Sequence, residues 1–429
     1  MTRNNRKLHS GFKIVSALLT LLILTVNSRA GNPAEKKRLY SFTPAVGSHP
    51  LGLTFGPDGA LYGTTVTGAA GGGAIYRLAP DESGIWFETT LYRFGVQGHY
   101  PNPVIFAPDG AMLLTLQLGP GGGCGSIIRL AENSNGTWQE LNLHNFKCAE
   151  GLYPESPLTA DGNGNYFGVA WGGGVYGLGT VFEITSANGG EWVFKRIHSF
   201  NGHDGAHPQS GVVFDASGNM YGTALCGGLS AGAAANELAP DCGGDAGSGT
   251  VWELSPLADG SWREKTIHNF YGHNGANPSD NGQLALDAAG NLYGTTHNGG
   301  IFDLGTVYEL SPRGDGTWSS KVLHSFNGHN GIAPSGGVIF DAQGNLYGEC
   351  FGPGSYSGVT SPGESGGQVV YKLSPNADGT WSETVLQKFN EPQSGGPAMG
   401  LIMDNSGNIF GTTWMGGAHN DGSVFEVTP

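Results

Sequence analysis

The sequence predicts an all-β fold, a seven-bladed β-propeller with four-stranded blades, closed by its own N-terminal strand as the outer strand of the last blade. Three observations lead there. A set of four short strand signatures recurs seven times in fixed order. The first copy of one signature stands alone near the N-terminus, and the last repeat lacks that same signature. No sustained 3.6-residue periodicity occurs after the first thirty residues.

The first signature ends in phenylalanine, as in Leu39-Tyr-Ser-Phe42 and Leu323-His-Ser-Phe326, with counterparts at 91–94, 143–146, 197–200, 267–270 and 386–389. The second is an apolar run ending at an Asp turn, as in Gly211-Val-Val-Phe-Asp215. The third follows at once, as in Leu61-Tyr-Gly-Thr-Thr65 and Leu292-Tyr-Gly-Thr-Thr296. The fourth reads Thr180-Val-Phe-Glu-Ile184, Thr306-Val-Tyr-Glu-Leu310 and similar. Each is short, rich in β-branched and aromatic residues, and bounded by turn formers, which is the pattern of a strand. The linker Asp-x-x-Gly-Asn between the second and third reads as a tight hairpin, with glycine supplying positive φ. Its likeness to a calcium loop is superficial, because the alternating oxygen ligands and distal Glu are missing.

The spare first signature at 39–42 and a final fourth signature ending near Pro429 predict that the two ends pair in one blade. Tryptophans agree: Trp86, Trp138, Trp192, Trp262, Trp318 and Trp381 precede six of the seven Phe-ending strands, and the N-terminal copy lacks one.

Residues 1–30 read as a secretory leader: Arg3, Arg6, Lys7 and Lys13, an apolar run from Ile14 to Val26, then Ser28-Arg29-Ala30. Residues 31–36 are a short linker and 37–429 one propeller domain. The protein is expected to be secreted or periplasmic, with no membrane attachment after cleavage, and monomeric. Loss of the leader leaves 15 Lys and Arg against 35 Asp and Glu, a net charge of −20. Such a chain repels phosphate backbones, which argues against a nucleic-acid partner. Glycine is abundant, 76 of 429 residues, but sits between apolar runs as in a turn-rich β protein rather than a flexible tract.

There are five cysteines. Cys226 and Cys242 flank one glycine/alanine-rich insertion and form the favoured disulfide; Cys124 with Cys148 is a second pairing, and Cys350 is left over.

The run at 290–326, Gly-Asn-Leu-Tyr-Gly-Thr-Thr through Gly-Thr-Val-Tyr-Glu-Leu-Ser-Pro to Leu-His-Ser-Phe, resembles the GloVer (Gloeobacter/Verrucomicrobia-type) tandem repeat. The resemblance covers about 37–429, is strongest at 211–326 and is degraded in the second copy. It implies a secreted or surface-associated bacterial repeat protein with no established activity. Some relatives carry a C-terminal sorting anchor, for which this sequence shows no motif.

The candidate site lies where each chain crossing enters the next blade. The residue before the proline of each crossing is His49, Tyr100, Tyr153, His207, Asn277 and Ala333 in turn, and the seventh copy shortens to Gly395-Gly396-Pro397. A residue before proline is expected to be extended, which places these side chains at the channel mouth. The loops between third and fourth signatures share that face. They carry Trp171, His297 and Trp414 and the insertions at 226–249 and 351–367. The candidate ligand-binding residues are therefore His49, Tyr100, Tyr153, His207, Asn277, Trp171, His297 and Trp414. The recurring histidines, His144, His198, His268 and His324 in the Phe-ending strands and His203, His273 and His329 in the crossings, read as blade-building residues, so no metal and no cofactor is predicted.

Two functions fit. One is a non-catalytic binding or scaffold propeller taking a glycan, peptide or protein at the top-face mouth. The other is an extracytoplasmic lyase or hydrolase acting on a polysaccharide or cyclic peptide, with His49, Tyr100 and His207 as acid/base candidates.

Overall fold

The computed structural model describes residues 34–429 except 69–70, 96–98, 120–122, 188–189, 230–246, 279–281, 353–367 and 390–397. The leader, Cys242, most of both insertions and Gly395–Pro397 therefore lie outside the described residues.

Seven antiparallel sheets form the propeller. Each has an inner strand, two central strands and an outer strand; the inner strand is only two residues in most blades but extends over Ser48–Phe55 and Ile332–Phe340 in blades 1 and 6. Blade 4, for example, consists of Val213–Phe214, Met220–Ala224, Thr250–Pro256 and Trp262–Asn269. Blade 5 carries an extra piece, Ala276–Pro278, beside its inner strand Ala285–Leu286. In blade 7 the outer strand is the N-terminal Glu35–Ser41, which pairs with Ser423–Thr428 from Glu35↔Thr428 to Ser41↔Ser423. It starts four residues ahead of the Leu39–Phe42 signature. Closure by the two chain ends is thus as the sequence predicts.

Glycine in the Tyr-Gly-Thr signature has a packing cause. Gly168 faces Phe182 across the central strand pair, and an added Cβ would lie 2.6 Å from the ring. Gly63, Gly222, Gly294, Gly348 and Gly411 stand in the same relation to Tyr76, Trp252, Tyr308, Tyr371 and Phe425. These six aromatics are fully buried. Blade 2 solves the same problem with aliphatics, pairing Leu114 with Ile128. In six junctions the phenylalanine after the outer strand then packs onto the aromatic of the following blade, and Phe94 instead joins the cluster of Ile128. Phe42 meets Tyr76 at 4.8 Å, Phe200 meets Trp252 at 5.7 Å, and Phe326 meets Tyr371 at 5.2 Å. The apolar core is accordingly a ring of clusters between blades.

A β-bulge recurs between the third and outer strands, at Ile75/Tyr76, Ile127/Ile128, Val181/Phe182, Val251/Trp252, Val307/Tyr308 and Val370/Tyr371. It leaves the Leu or Ile of the first signature as the extra residue and increases the local twist each blade needs. The repeated histidines also build blades. His268 Nε2 accepts from Asn274 Nδ2 at 3.0 Å, and His198 Nε2 lies 3.0 Å from Asp204 Oδ2.

Cys124 and Cys148 form a disulfide, and Cys226 is also disulfide-bonded. Cys350 is free and buried. Among the described residues no helix is long and apolar enough to cross a membrane.

Candidate functional site

Inner strands run from the crossing segments to the Asp-x-x-Gly hairpins. The crossings and the loops between the second and third strands therefore share one face, the top.

The six residues before the crossing prolines are not extended as expected. His49, Tyr100, Tyr153, His207, Asn277 and Ala333 have φ of 58°, 45°, 54°, 57°, 54° and 42°. The cause is a hydrogen-bond requirement spanning two blades. His207 N–H donates to Leu178 O of blade 3 at 2.8 Å, while its own carbonyl accepts from Leu225 N–H of blade 4 at 3.2 Å. His49 donates to Asp421 O, Tyr153 to Cys124 O, Asn277 to Ser248 O and Ala333 to Leu304 O, at 2.7–3.0 Å. An extended residue points its N–H and C=O along one strand pairing. A positive φ turns the N–H back to the blade just left, and the backbone strain is held by both bonds.

Side chains at these positions follow the same stitching. The His207 ring stacks on Trp171 with centroids 4.1 Å apart and 20° between planes, and its Nδ1 donates to Trp171 O at 3.1 Å. His49 lies against Trp414 at 4.7 Å. Asn277 donates from Nδ2 to Leu225 O at 3.2 Å and accepts from Asn298 Nδ2 at 3.2 Å. Trp171, His297 and Trp414 share one position in their blades, each directly after the residue paired with the start of the third strand. His207 and Asn277 are buried, whereas Tyr100 and Tyr153 are 39% and 37% exposed.

The structure brings these residues together in pairs, not as one cluster. His207 with Trp171 belongs to the junction of blades 3 and 4. His49 with Trp414 belongs to the junction of blades 7 and 1. Among the described residues no three His, Cys, Asp or Glu side chains gather as a metal ion requires.

Inside the ring lies a cavity of about 470 Å³ lined by residues from all seven blades, Thr54, Ile105, Ile339 and Ile402 among them. Gln283 of blade 5 reaches along this wall to Val212 O of blade 4 and to Thr159 Oγ1 of blade 3, the latter at 3.5 Å. The channel wall is thereby tied across three blades.

Sequence reasoning missed most of the exposed apolar surface on the top face. Val175 and Tyr176, Leu229, Tyr271, Ile301 and Phe302, and Met415 are all exposed there. Part of the signal was available, since Val175–Tyr176, Leu229 and Ile301–Phe302 each directly follow a run of glycines.

The profile of the Gloeobacter/Verrucomicrobia repeat matches residues 27–235 and 241–359. No curated protein matches the chain. Among solved structures, the extracellular domain of a one-component system from B. thetaiotaomicron is similar at 9% identity and a TM-score of 0.52, over 91% of this chain and 39% of that one. A gluconolactonase from Xanthomonas campestris is similar at 13% identity and 0.41, over 92% and 89%. A protein of unknown function from Dyadobacter fermentans is similar at 12% and 0.44, over 92% and 98%. At such identities the likeness is one of fold. With the profile spanning most of the sequence and the blades repeating in step with its motifs, the chain belongs to the Gloeobacter/Verrucomicrobia repeat family.

Proposed function

We propose that this is a non-catalytic binding propeller acting outside the cytoplasm, and that its top face takes a protein or peptide surface. One observation carries the reading. Among the described residues, nine of the fourteen exposed large apolar side chains lie on top-face segments: Tyr100, Tyr153, Val175, Tyr176, Leu229, Tyr271, Ile301, Phe302 and Met415. Single exposed apolar residues are ordinary, but a concentration on one face of a rigid scaffold is the signature of a contact surface. Val175–Tyr176 and Ile301–Phe302 occupy the same loop in blades 3 and 5, on either side of the blade 4 loop that carries Leu229.

The non-catalytic reading is supported by the separation of His49 and His207, each packed against a tryptophan in its own junction. The extracytoplasmic reading is supported by the disulfide-bonded Cys124, Cys148 and Cys226 together with the leader-like N-terminus.

Peptide-display selection against the folded chain tests the site. Selected peptides are expected to lose at least tenfold in affinity on the Tyr176→Ser/Phe302→Ser double change, with the melting temperature unaltered. Peptides that bind the double variant equally well would refute a top-face site.

A further inference from the structure

The face opposite the top holds a second cavity, of about 580 Å³, in the junction of blades 3 and 4. It is bounded by the hairpin of blade 3 around Asp161, the hairpin of blade 4 around Asp215, and the outer turn of blade 4 leading into Trp262.

The hairpin aspartates of most other blades have partners that Asp161 does not have. In blades 1, 4, 5 and 6 a tyrosine on the second strand sends its hydroxyl to the hairpin aspartate: Tyr62 to Asp58, Tyr221 to Asp215, Tyr293 to Asp287 and Tyr347 to Asp341, at 2.9–3.3 Å. Blade 3 has Phe167 at that position, and no hydroxyl reaches Asp161. In blades 1 and 2 an arginine on the third strand, Arg77 or Arg129, pairs with the hairpin aspartate. Blade 3 has Glu183 there. Blade 3 thus has neither the hydroxyl nor the arginine, a combination shared by blade 7, where Phe410 and Glu426 stand at these positions.

We propose that this groove binds a neutral sugar ring. Its walls combine three features such a ring needs. Phe214 and Trp262 supply an aromatic surface, backed by the buried Phe167, which meets Phe214 edge-on at 5.1 Å and Trp262 at 5.9 Å. Asp161 and Glu183 supply acceptors. Asn163, Ser217 and the Lys195 ammonium supply donors, with Lys195 anchored on Gly260 O at 2.6 Å. A hydroxyl both donates and accepts, so a polyol satisfies this mixed wall, while its C–H face covers the rings. An anionic ligand meets two carboxylates in an acidic protein. A simple cation leaves the donors without partners. The volume lies within the range of small-ligand pockets.

The test uses the folded full chain and three neutral disaccharides: maltose, cellobiose and N,N′-diacetylchitobiose. Binding is read by saturation-transfer NMR and calorimetric titration. The variants Phe167→Tyr and Glu183→Arg install residues that other blades already carry at these positions, so the fold is retained and a melting curve checks it. At least one disaccharide is expected to bind the parent chain and to weaken tenfold or more in each variant. Three results overturn the proposal. One is no binding by any of the three up to about 20 mM, a weaker affinity than a built site provides. Another is binding that survives both changes. The third is binding of arginine amide in place of the disaccharides, which would make this a cation site.

Discussion

Gly305 is pressed against Pro334 of the next blade: a methyl group at Gly305 would overlap the proline Cδ. Gly125 stands in the same relation to Pro154, Gly179 to Pro208, Gly249 to Pro278 and Gly422 to Pro50. Gly305 also has φ +98°, which other residues rarely adopt. Gly305→Ala is therefore expected to destabilise the protein by about 1–3 kcal/mol, through overpacking of a blade junction. Urea unfolding should show a lower midpoint with the slope unchanged. An unchanged midpoint would mean that the junction opens without cost.

Deletion of residues 31–43 should abolish cooperative unfolding. It strips the partner from Ser423–Thr428 and removes Phe42, which is fully buried against Tyr76. Loss of a buried Phe side chain alone costs about 3–5 kcal/mol. Circular dichroism on heating is the check, and a sharp transition at the original temperature would contradict the closure.

Glu349 takes the place held by Thr64, Thr115, Thr223, Thr295 and Thr412 in other blades. It is fully buried, accepting from Gly400 N–H at 2.8 Å and from Gln368 Nε2 at 2.5 Å. Burial pushes its pKa up to about 8 from the ordinary 4.5. Between those values the unfolded chain is ionised while the folded chain keeps its proton. Stability therefore falls as pH rises from about 4.5 to 8, by on the order of 1.4 kcal/mol per unit of displacement. Glu349→Gln should flatten this limb and raise stability at neutral pH. A denaturation series showing the same slope in both proteins would disprove the assignment.

His268 works in the opposite sense. Burial holds its pKa down to about 4 from 6.5. Below the unfolded value the unfolded chain takes up a proton that the folded chain refuses. Stability is full above about pH 6.5 and is lost as pH falls towards 4. His324, also held down to about 4 by burial, adds to the same loss. The double change His268→Gln/His324→Gln should make the acid limb shallower between pH 6.5 and 4. Equal acid limbs in the two proteins would exclude both histidines.

Blade number, strand order and closure were legible because each rests on local information. A strand such as Thr306–Pro312 shows its alternation over seven residues, and its hairpins carry their own Gly and Asn. Even the Gly–aromatic pairs were visible as signatures, Gly294 in one strand and Tyr308 in the next, although the reason for the glycine lay in their mutual packing. The candidate mouth was legible only as a face. Of the residues expected there, His207 and Asn277 are buried in blade stitching, and the exposed loop pairs Val175–Tyr176 and Ile301–Phe302 were overlooked.

Sequence by itself determined that this chain builds seven copies of one four-stranded sheet and joins its ends. Tertiary structure alone decided three things. It turned His49 and its counterparts to positive φ, since their N–H partners belong to the preceding blade. It kept His49 and His207 in separate junctions. It left a groove beside Phe167, in space bounded by turns from two blades. Hydrogen-bond direction and packing between blades are properties of neighbours distant in sequence, and no local pattern encodes them.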